Sequence, residues 1–421
     1  MMRVCFIADA NSIHARTWIE YFCNSPDYEV FVLSTTRNPS PIRGVIIYDL
    51  KTSMMITSSS KVVKDVPSNN PLLVRRLIGY IKNTSLGKFF AYQVDNGKQL
   101  HELKLLYSVL QFRGKARAII KMLQPDLIHC LRLPIEGYIG GLVGYCPFAI
   151  STWGNDLVYF AREYYVLRRF TRHALSIADL YFPDNTRDKY IAEVYGYSPS
   201  KLSQIIPGNG GLRLDEFPLH HKDSCSARGE LGFNMNANLI ISSRGFKNFY
   251  INTSALIQAI PAIIKIYPNT IFIIDGNTNS LVYQQLEKKT QDLKVERYCR
   301  FTNRLSRPNL LNYFAASDIM VSVTLYDGWP ISLLEGMAYG LIPIMSNHSP
   351  IQEWVTDGWN GYLFDPRDPD SIAEAIIRAL SNKDNFEEMR KRNWALLEER
   401  ADYWKNMKIA EEMYRRVIGK K

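Results

Sequence analysis

Paired cysteines are missing from this chain. Its six cysteines (Cys5, Cys23, Cys130, Cys146, Cys225 and Cys299) are scattered, and no Cys-x-x-Cys spacing occurs. That excludes a zinc ribbon, a dithiol redox centre and a disulfide framework as organising devices. Several of the six lie in apolar segments, so buried, reduced thiols and a reducing compartment are expected. The seven histidines are dispersed without a His-x-x-x-His pair, and no metal site is expected. A long hydrophobic run is also missing. Gly137 to Asn155 has no charged side chain, but glycines, Pro147 and polar residues interrupt it. It reads as a helix followed by a buried strand, not as a membrane span, which needs about 20 mostly apolar residues. Arg3 opens an apolar run that Asp9 ends, which is too short for a secretory signal. No repeat at solenoid or propeller periods is found. Acidic residues are in deficit: 41 against 51 basic ones, a net charge of +10. Nucleic acid, an anionic membrane surface and phosphorylated substrates all suit that balance.

What is present is a globular composition, 46% hydrophobic and 22% charged over 421 residues. Such a chain exceeds one ordinary core and predicts two domains of roughly 200 residues each. Arg3 to Ala8 reads as a first strand, Ile13 to Cys23 as a helix with Trp18, Ile19 and Phe22 on one face, and Glu29 to Leu33 as the next strand. This alternation predicts a parallel sheet with helices on both faces. From about Lys51 to Gly114 the rhythm breaks. Further strands are predicted at Pro125–Cys130, Phe148–Ser151, Asp179–Phe182 and Ile205 into a glycine-rich loop, with a helix over Thr186–Val194. Polar residues from His220 to Gly229 mark a junction. A second series follows: strand Leu239–Ser243, helix Asn252–Ile266, strand Thr270–Ile274, helix Asn309–Ala316, strand Ile319–Val323, and charged helices from Ser371 to Val417. The expected organisation is a first α/β domain over 1–222, a second over 223–398, and a final helix over 399–421 that returns to the first domain. Ligands of open parallel sheets lie beyond the carboxyl ends of the strands, here in a cleft between the domains.

The densest chemistry lies in Val321-Ser-Val-Thr-Leu-Tyr-Asp327-Gly-Trp-Pro-Ile-Ser-Leu-Leu-Glu335-Gly-Met-Ala-Tyr-Gly340, which reads as a strand, a tight loop and a helix that Gly340 ends. Gly328 and Pro330 leave backbone amides free at a helix N-terminus, which favours a phosphate dianion. Ser332-Leu-Leu-Glu335 also matches a capping box, so Glu335 could cap its own helix, and Asp327 could be a simple turn residue. Arg244 follows the first strand of the second series, with Lys247 three residues on, and a strand-end Arg can hold phosphate bidentately. Asp156 follows Thr152-Trp153-Gly154-Asn155, where it could equally be an N-cap. Asn11 and His14 follow the first strand. His129 sits inside a strand and is expected to be a satisfied core histidine. Val74, Leu77, Ile78 and Ile81 share a helical face beside Arg75, Arg76 and Lys82, a candidate interfacial helix for an anionic membrane.

The run from Asp327 to Gly340 resembles the E-x7-E signature of retaining, GT-B-fold glycosyltransferases of the group 1 (family 4) class. Asp327 stands where most members carry Glu. Asn360-Gly-Tyr-Leu-Phe-Asp-Pro, Ser349-Pro-Ile-Gln-Glu353-Trp and Pro207-Gly-Asn209-Gly are similar to further motifs of that family. The resemblance implies an α/β fold of two Rossmann-like domains facing a central cleft and transfer of a hexosyl-type group with retention. The donor would be a UDP-, GDP- or ADP-linked sugar, and the acceptor a glycan or lipid-linked molecule. Glu335 would take the ribose, Asp327 the donor sugar, and Arg244 and Lys247 the diphosphate. Gly328, Trp329, Pro330, Ile331, Ser332, Gly276 and Asn277 would line the donor. Asn11, His14 and Asp156 would lie on the acceptor side, where Trp153 replaces the family's usual histidine. No metal or other cofactor and no nucleic acid is implied. The implied setting is cell-surface polysaccharide or glycoconjugate synthesis in the cytoplasm, with a candidate peripheral site on the inner face of the plasma membrane. Two alternatives stand beside it: a GT-B-fold sugar-nucleotide epimerase and a non-catalytic sugar-nucleotide-binding subunit.

Overall fold

The run Met2–Ala8 is almost wholly apolar, as a strand covered on both faces must be, and it forms β1. The structure is a computed structural model that describes residues 1–57, 61–62, 96–217, 224–246 and 250–419. The chain divides into two compact units, one of residues 1–210 with 407–421 and the other of residues 211–406.

In the first unit, β1 is followed by helix α1 (Ile13–Cys23) and strands β2 (Tyr28–Ser34), β3 (Ile46–Asp49), β4 (Met54–Ile56) and β5 (Lys61–Val62). Helix α2 (Asn96–Leu123), β6 (Leu127–Leu131), α3 (Tyr138–Val143) and β7 (Phe148–Ser151) come next. Then follow α4 (Tyr165–Ile177), β8 (Leu180–Phe182), α5 (Thr186–Val194) and β9 (Leu202–Ser203). The nine strands form one sheet in the order β5-β4-β3-β2-β1-β6-β7-β8-β9. Among the described residues, only β3–β4 and β4–β5 pair antiparallel in this sheet. The sequence reading missed α2 within its irregular stretch. Val109, Phe112, Ala116, Ile119, Ile120 and Leu123 are buried on one face of it and seal the core. The strand expected from Ile205 is instead the short β9. The candidate interfacial helix at Val74–Lys82 lies outside the described residues.

The second unit contains α6 (Ser224–Leu231), β10 (Asn238–Ser242), α7 (Thr253–Ile266), β11 (Thr270–Gly276) and α8 (Leu281–Asp292). It continues with β12 (Cys299–Asn303), α9 (Arg307–Ala316), β13 (Ile319–Ser322), α10 (Ile331–Ala338) and β14 (Ile342–Ser346). Strand β15 (Tyr362–Phe364) and helices α11 (Pro369–Ser381), α12 (Phe386–Arg400) and α13 (Tyr403–Ile418) close the series. Among the described residues, the unit's six strands are all parallel, in the order β12-β11-β10-β13-β14-β15. That is the doubly wound order in which the chain reverses direction between the first and fourth strands. The same reversal occurs between β1 and β6 in the first unit.

The division falls earlier than residue 222 and later than residue 398. Leu212 N donates to Ala401 O, and Tyr403 N donates to Leu212 O. These bonds tie residues after Gly210 to the end of α12. Gly211 makes the approach possible: its φ is +112°, and a Cβ there would lie 2.2 Å from Ala401 O. The last turns of α13 complete the first unit, as the sequence reading expected of its final helix. Tyr414 is fully buried there. It accepts a hydrogen bond from Trp18 Nε1 at 3.1 Å and contacts His129 Nδ1 through its hydroxyl. His129 Nε2 meets Ser151 Oγ at 2.8 Å. Burial lowers the His129 pKa to about 3, so the ring is neutral, a satisfied core histidine. The cysteines divide more widely than expected: Cys5 and Cys130 are buried, whereas Cys146 and Cys225 are exposed.

Candidate active site

A parallel sheet binds ligands where its strand order reverses. In the second unit that point lies between β10 and β13. Arg244 stands just after β10, and the loop from Val323 to Pro330 follows β13. Asp327 is buried, and its Oδ2 receives Arg244 Nη2 at 2.7 Å. Its Oδ1 accepts the amide of Gly328 at 3.0 Å. The structure therefore pairs two residues that the sequence had assigned to different parts of a donor. Lys247 lies outside the described residues.

Helix α10 starts after Pro330 with no side-chain cap. Ser332 is inside its first turn rather than at the cap position, so the capping box does not form. The amides of Ile331 and Ser332 are left open at the helix start, where the helix dipole favours an anion. Glu335 is buried and points to Arg307, with 2.7 Å between Oε1 and Nη1. Burial raises its pKa, and Arg307 opposes the rise. Several buried polar atoms around this loop have no hydrogen-bond partner: Arg244 Nε, Ser322 Oγ, Thr324 Oγ1, Trp329 Nε1 and Ser332 Oγ. Buried polar atoms are almost always satisfied, so this cluster has free valences that a polar ligand can fill. Trp329 packs edge-on against Trp354 at 5.0 Å. Gly336 lets the helix lie directly on the sheet, because a Cβ there would meet Met320 Sδ at 2.3 Å. A Schellman closure ends the helix at Gly340: Gly340 N donates to Met337 O and Leu341 N to Gly336 O.

Other expected donor residues are engaged locally. A Cβ on Gly276 would meet the ring of Phe246 at 2.6 Å, so Phe246 covers this glycine. Asn277 Oδ1 accepts from Asn279 N at 3.1 Å in a turn. The Asn360-Gly361 motif is a structural knot. Asn360 is fully buried and exchanges hydrogen bonds with Asn393, Trp354 O and Thr356 N. Asp368-Pro-Asp370 has a metal-type spacing, but the Asp368 carboxylate accepts from Asp370 N at 2.9 Å and caps α11.

In the first unit the reversal point brings the loop after β1 beside the loop after β6. Asn11 is exposed, and its Oδ1 accepts from Ser40 N at 2.8 Å, which pins one loop to another. His14 stands edge-on to Trp153 with ring centroids 5.8 Å apart. Trp153 Nε1 and Asn155 Oδ1 are buried without a partner. Asp156 is fully buried. It accepts from Arg132 Nε, Leu133 N and Trp153 N, each at 3.1 Å. It is a positioning residue that locks the two loops together, not an N-cap.

The sequence reading passed over Arg132 and Glu136. Arg132 follows β6 with φ +120°, and Ile135 has φ +71°. Two non-glycine residues at positive φ within four positions store strain of the kind that clusters at functional sites. Glu136 is buried and accepts from Thr35 Oγ1 at 2.5 Å. Burial raises its pKa to about 7. A second buried acid, Asp184, holds the amide of Gly154 at 3.0 Å. Its burial beside Asp188 pushes its carboxyl well above the usual range. Neither feature has a spacing signature, because both depend on which strands become neighbours.

Two doubly wound units, the second with its polar site at the reversal point, define the GT-B class of protein. The second unit is similar to the group 1 glycosyltransferases. Residues 226–394 match the family model "Glycosyl transferases group 1", and residues 87–185 match "Glycosyl transferase 4-like". Among curated proteins it is 24% identical over 200 residues to the D-inositol 3-phosphate glycosyltransferase of Corynebacterium urealyticum, covering 46% of each chain. It is 28% identical to an Escherichia coli UDP-Gal:alpha-D-GlcNAc-diphosphoundecaprenol alpha-1,3-galactosyltransferase, covering 28% of this chain and 30% of that one. These matches span less than half the length of those relatives. Sucrose-phosphate synthase from Thermosynechococcus elongatus superposes with a TM-score of 0.74 at 15% identity, over 100% of both chains. HepE from Anabaena, solved with UDP and glucose, superposes with a TM-score of 0.68 at 15% identity, over 98% of this chain and 99% of that one.

Proposed function

We propose that this protein is a retaining glycosyltransferase that moves a hexosyl-type group from a nucleotide sugar to a glycan or lipid-linked acceptor, in cell-surface polysaccharide or glycoconjugate synthesis. The observation that carries the reading is the β10–β13 reversal point. Arg244, the open amides of α10, and the buried unpartnered atoms of Ser322, Thr324 and Ser332 sit there beside two buried carboxylates. A sugar diphosphate supplies the matching chemistry: anionic oxygens for the guanidinium and amides, and hydroxyls for the carboxylates. The complexes of HepE with UDP, and with UDP and glucose, support the donor class.

In this reading Glu335 accepts the ribose hydroxyls and Arg307 restrains it. Asp327 accepts hydroxyls of the donor sugar. Arg244, paired to Asp327 until donor binds, turns its remaining donors to the diphosphate, with Lys247 and the amides near Gly328–Ser332. As the bond from the anomeric carbon to the diphosphate oxygen breaks, the acceptor oxygen bonds to the same face. Its proton passes to the β-phosphate oxygen, so no separate protein base takes part. Preorganised donors aimed at the departing charge are the main source of rate. The enzyme works in the cytoplasm, at an inner membrane surface when the acceptor is lipid-linked, and neither a metal nor another cofactor is required.

A thermal-shift series with UDP-, GDP- and ADP-sugars tests the reading. A ligand at about 100 times its Kd adds roughly 2.7 kcal/mol to apparent stability. One base class raises Tm, and that sugar nucleotide then yields free nucleoside diphosphate and a glycosylated product. A Tm unmoved by every nucleotide sugar sinks the proposal, and an epimer formed without acceptor replaces transfer with epimerisation.

A further inference from the structure

We propose that the outer face of α2 and α4 docks the first unit on an anionic lipid surface. The proposal rests on the transferase reading only for its purpose; the surface itself is argued from charge and exposure. Strands β6, β7 and β8 follow β1 in order across the sheet. Right-handed crossovers therefore place α2, α3 and α4 in one layer on the same side. Helix α4 contains no acidic residue, and α2 contains only Glu102. That carboxylate is turned inward, where Glu102 Oε1 accepts the amides of Val166 at 2.8 Å and Leu167 at 3.0 Å and caps α4. The outer face is left with one sign of charge. Arg113 and Arg117 recur at helical spacing on α2, and Arg169 and Arg172 on α4, all exposed. Glu163 lies at the near end, 3.8 Å from Arg162.

Apolar side chains stand among these cations. Leu103 is 62% exposed, Leu110 49% and Tyr165 63%. Leu103, Leu110, Arg113 and Arg117 fall on one stripe of α2, and Tyr165, Arg169 and Arg172 on one stripe of α4. Arg169 lies over the Tyr165 ring at 5.1 Å and donates to its hydroxyl at 3.0 Å. A guanidinium beside an exposed aromatic is what an interfacial anchor presents to headgroups. Helix α2 has 28 residues, about 42 Å at 1.5 Å per residue. The five-residue β6 it precedes spans only about 17 Å. Running antiparallel to β6, α2 carries Leu103 toward the strands' carboxyl edge, the edge that also bears Asn11, His14 and Trp153. A surface docked there would hold a lipid-linked acceptor on the acceptor side of the unit.

Sedimentation of the full chain with phosphatidylcholine vesicles, and with vesicles containing about 30 mol% phosphatidylglycerol, tests this. Binding is expected to the anionic vesicles only and to fall with salt. Arg169→Glu with Arg172→Glu should lower the partition coefficient about tenfold or more. Leu103→Ser with Leu110→Ser should lower binding that survives high salt. Both pairs are exposed, so melting curves should match the parent. Equal binding by parent and charge-reversed protein, or no binding to anionic vesicles, overturns the proposal. So does tighter binding to a labelled RNA oligonucleotide at the same salt, which would assign the cations to nucleic acid. Tm shifts with nucleotide sugar, read on the same samples, separate the two ideas. Vesicle binding without a nucleotide shift removes the transferase reading alone, and the converse removes this one alone.

Discussion

At the scale of single residues, the two acids of the second unit are chemically distinct. Asp327 accepts a hydrogen bond from Arg244 at 2.7 Å, whereas Glu335 forms an ion pair with Arg307 at the same distance, with its buried Oε1 lacking a hydrogen-bond partner. A hydrogen bond to a charged group contributes roughly 1.5–3 kcal/mol, a ten- to hundredfold effect. Asp327→Asn is expected to lower turnover by that factor with little change in nucleotide affinity. Glu335→Gln should instead weaken nucleotide binding by a similar factor, read by titration with UDP, GDP and ADP. Full activity and affinity in both would reduce the pair to packing. Glu136 gives a pH prediction. Its folded pKa of about 7 exceeds an ordinary carboxyl value near 4.3. The stability associated with its neutral form is therefore complete below about pH 4 and is lost as pH rises to about 7. Glu136→Gln removes the ionisation and should gain up to about 3 kcal/mol over the parent at pH 8. Denaturant midpoints at pH 5 and pH 8 measure this, and an equal gap at both values would refute it. The Asp327–Glu335 run could be read from sequence because its residues are contiguous. Arg132 and Glu136 could not, because their setting requires β1 and β6 to be adjacent and two positive φ angles that no residue type announces.

At the scale of elements, strands rich in β-branched residues and helices with one apolar face were legible. Thr186–Val194 and the turn at Gly340 fall where the sequence places them. Helix α2 was not legible, because exposed Leu103, Leu110 and Met122 blur the stripe made by Phe112, Ala116 and Ile119. The polar edge strand β12 and the charged helix α8 were missed for lack of apolar periodicity. Gly336 is a firmer element-level constraint than any cap. Gly336→Ala must push Met320 or lift α10 from β13, at about 1–3 kcal/mol for overpacking. Thermal melting checks the loss, and Met320→Ala in the same chain should restore part of it. Helix α13 is anchored by the Tyr414 hydroxyl, which faces both Trp18 and His129, and by Glu411, which accepts from the Tyr21 and Tyr28 hydroxyls at 3.0 Å each. Tyr414→Phe leaves buried polar atoms without partners, at about 1–3 kcal/mol each. The expected result is a lower denaturant midpoint, and an unchanged one would show that the network adds nothing.

For the molecule as a whole, the two doubly wound sheets were readable from alternation alone, while the point of division was not. It rests on Gly211 lying against Ala401, a contact between residues far apart in sequence. The expectation that no metal is needed belongs at this scale too: transfer should survive chelation with EDTA, and loss restored by added Mg²⁺ or Mn²⁺ would contradict it. The return of α13 has a further consequence for synthesis. A chain leaves the ribosome from its amino end, and domains generally fold as they emerge. The first unit, with residues 407–421 among its members, still lacks Tyr414 when every residue of the second has been made. His129 and Trp18 must wait for it with their polar atoms uncovered. The unit that begins the chain is thus the later of the two to be finished, and a nascent chain stalled at residue 406 would expose the surface on which α13 belongs.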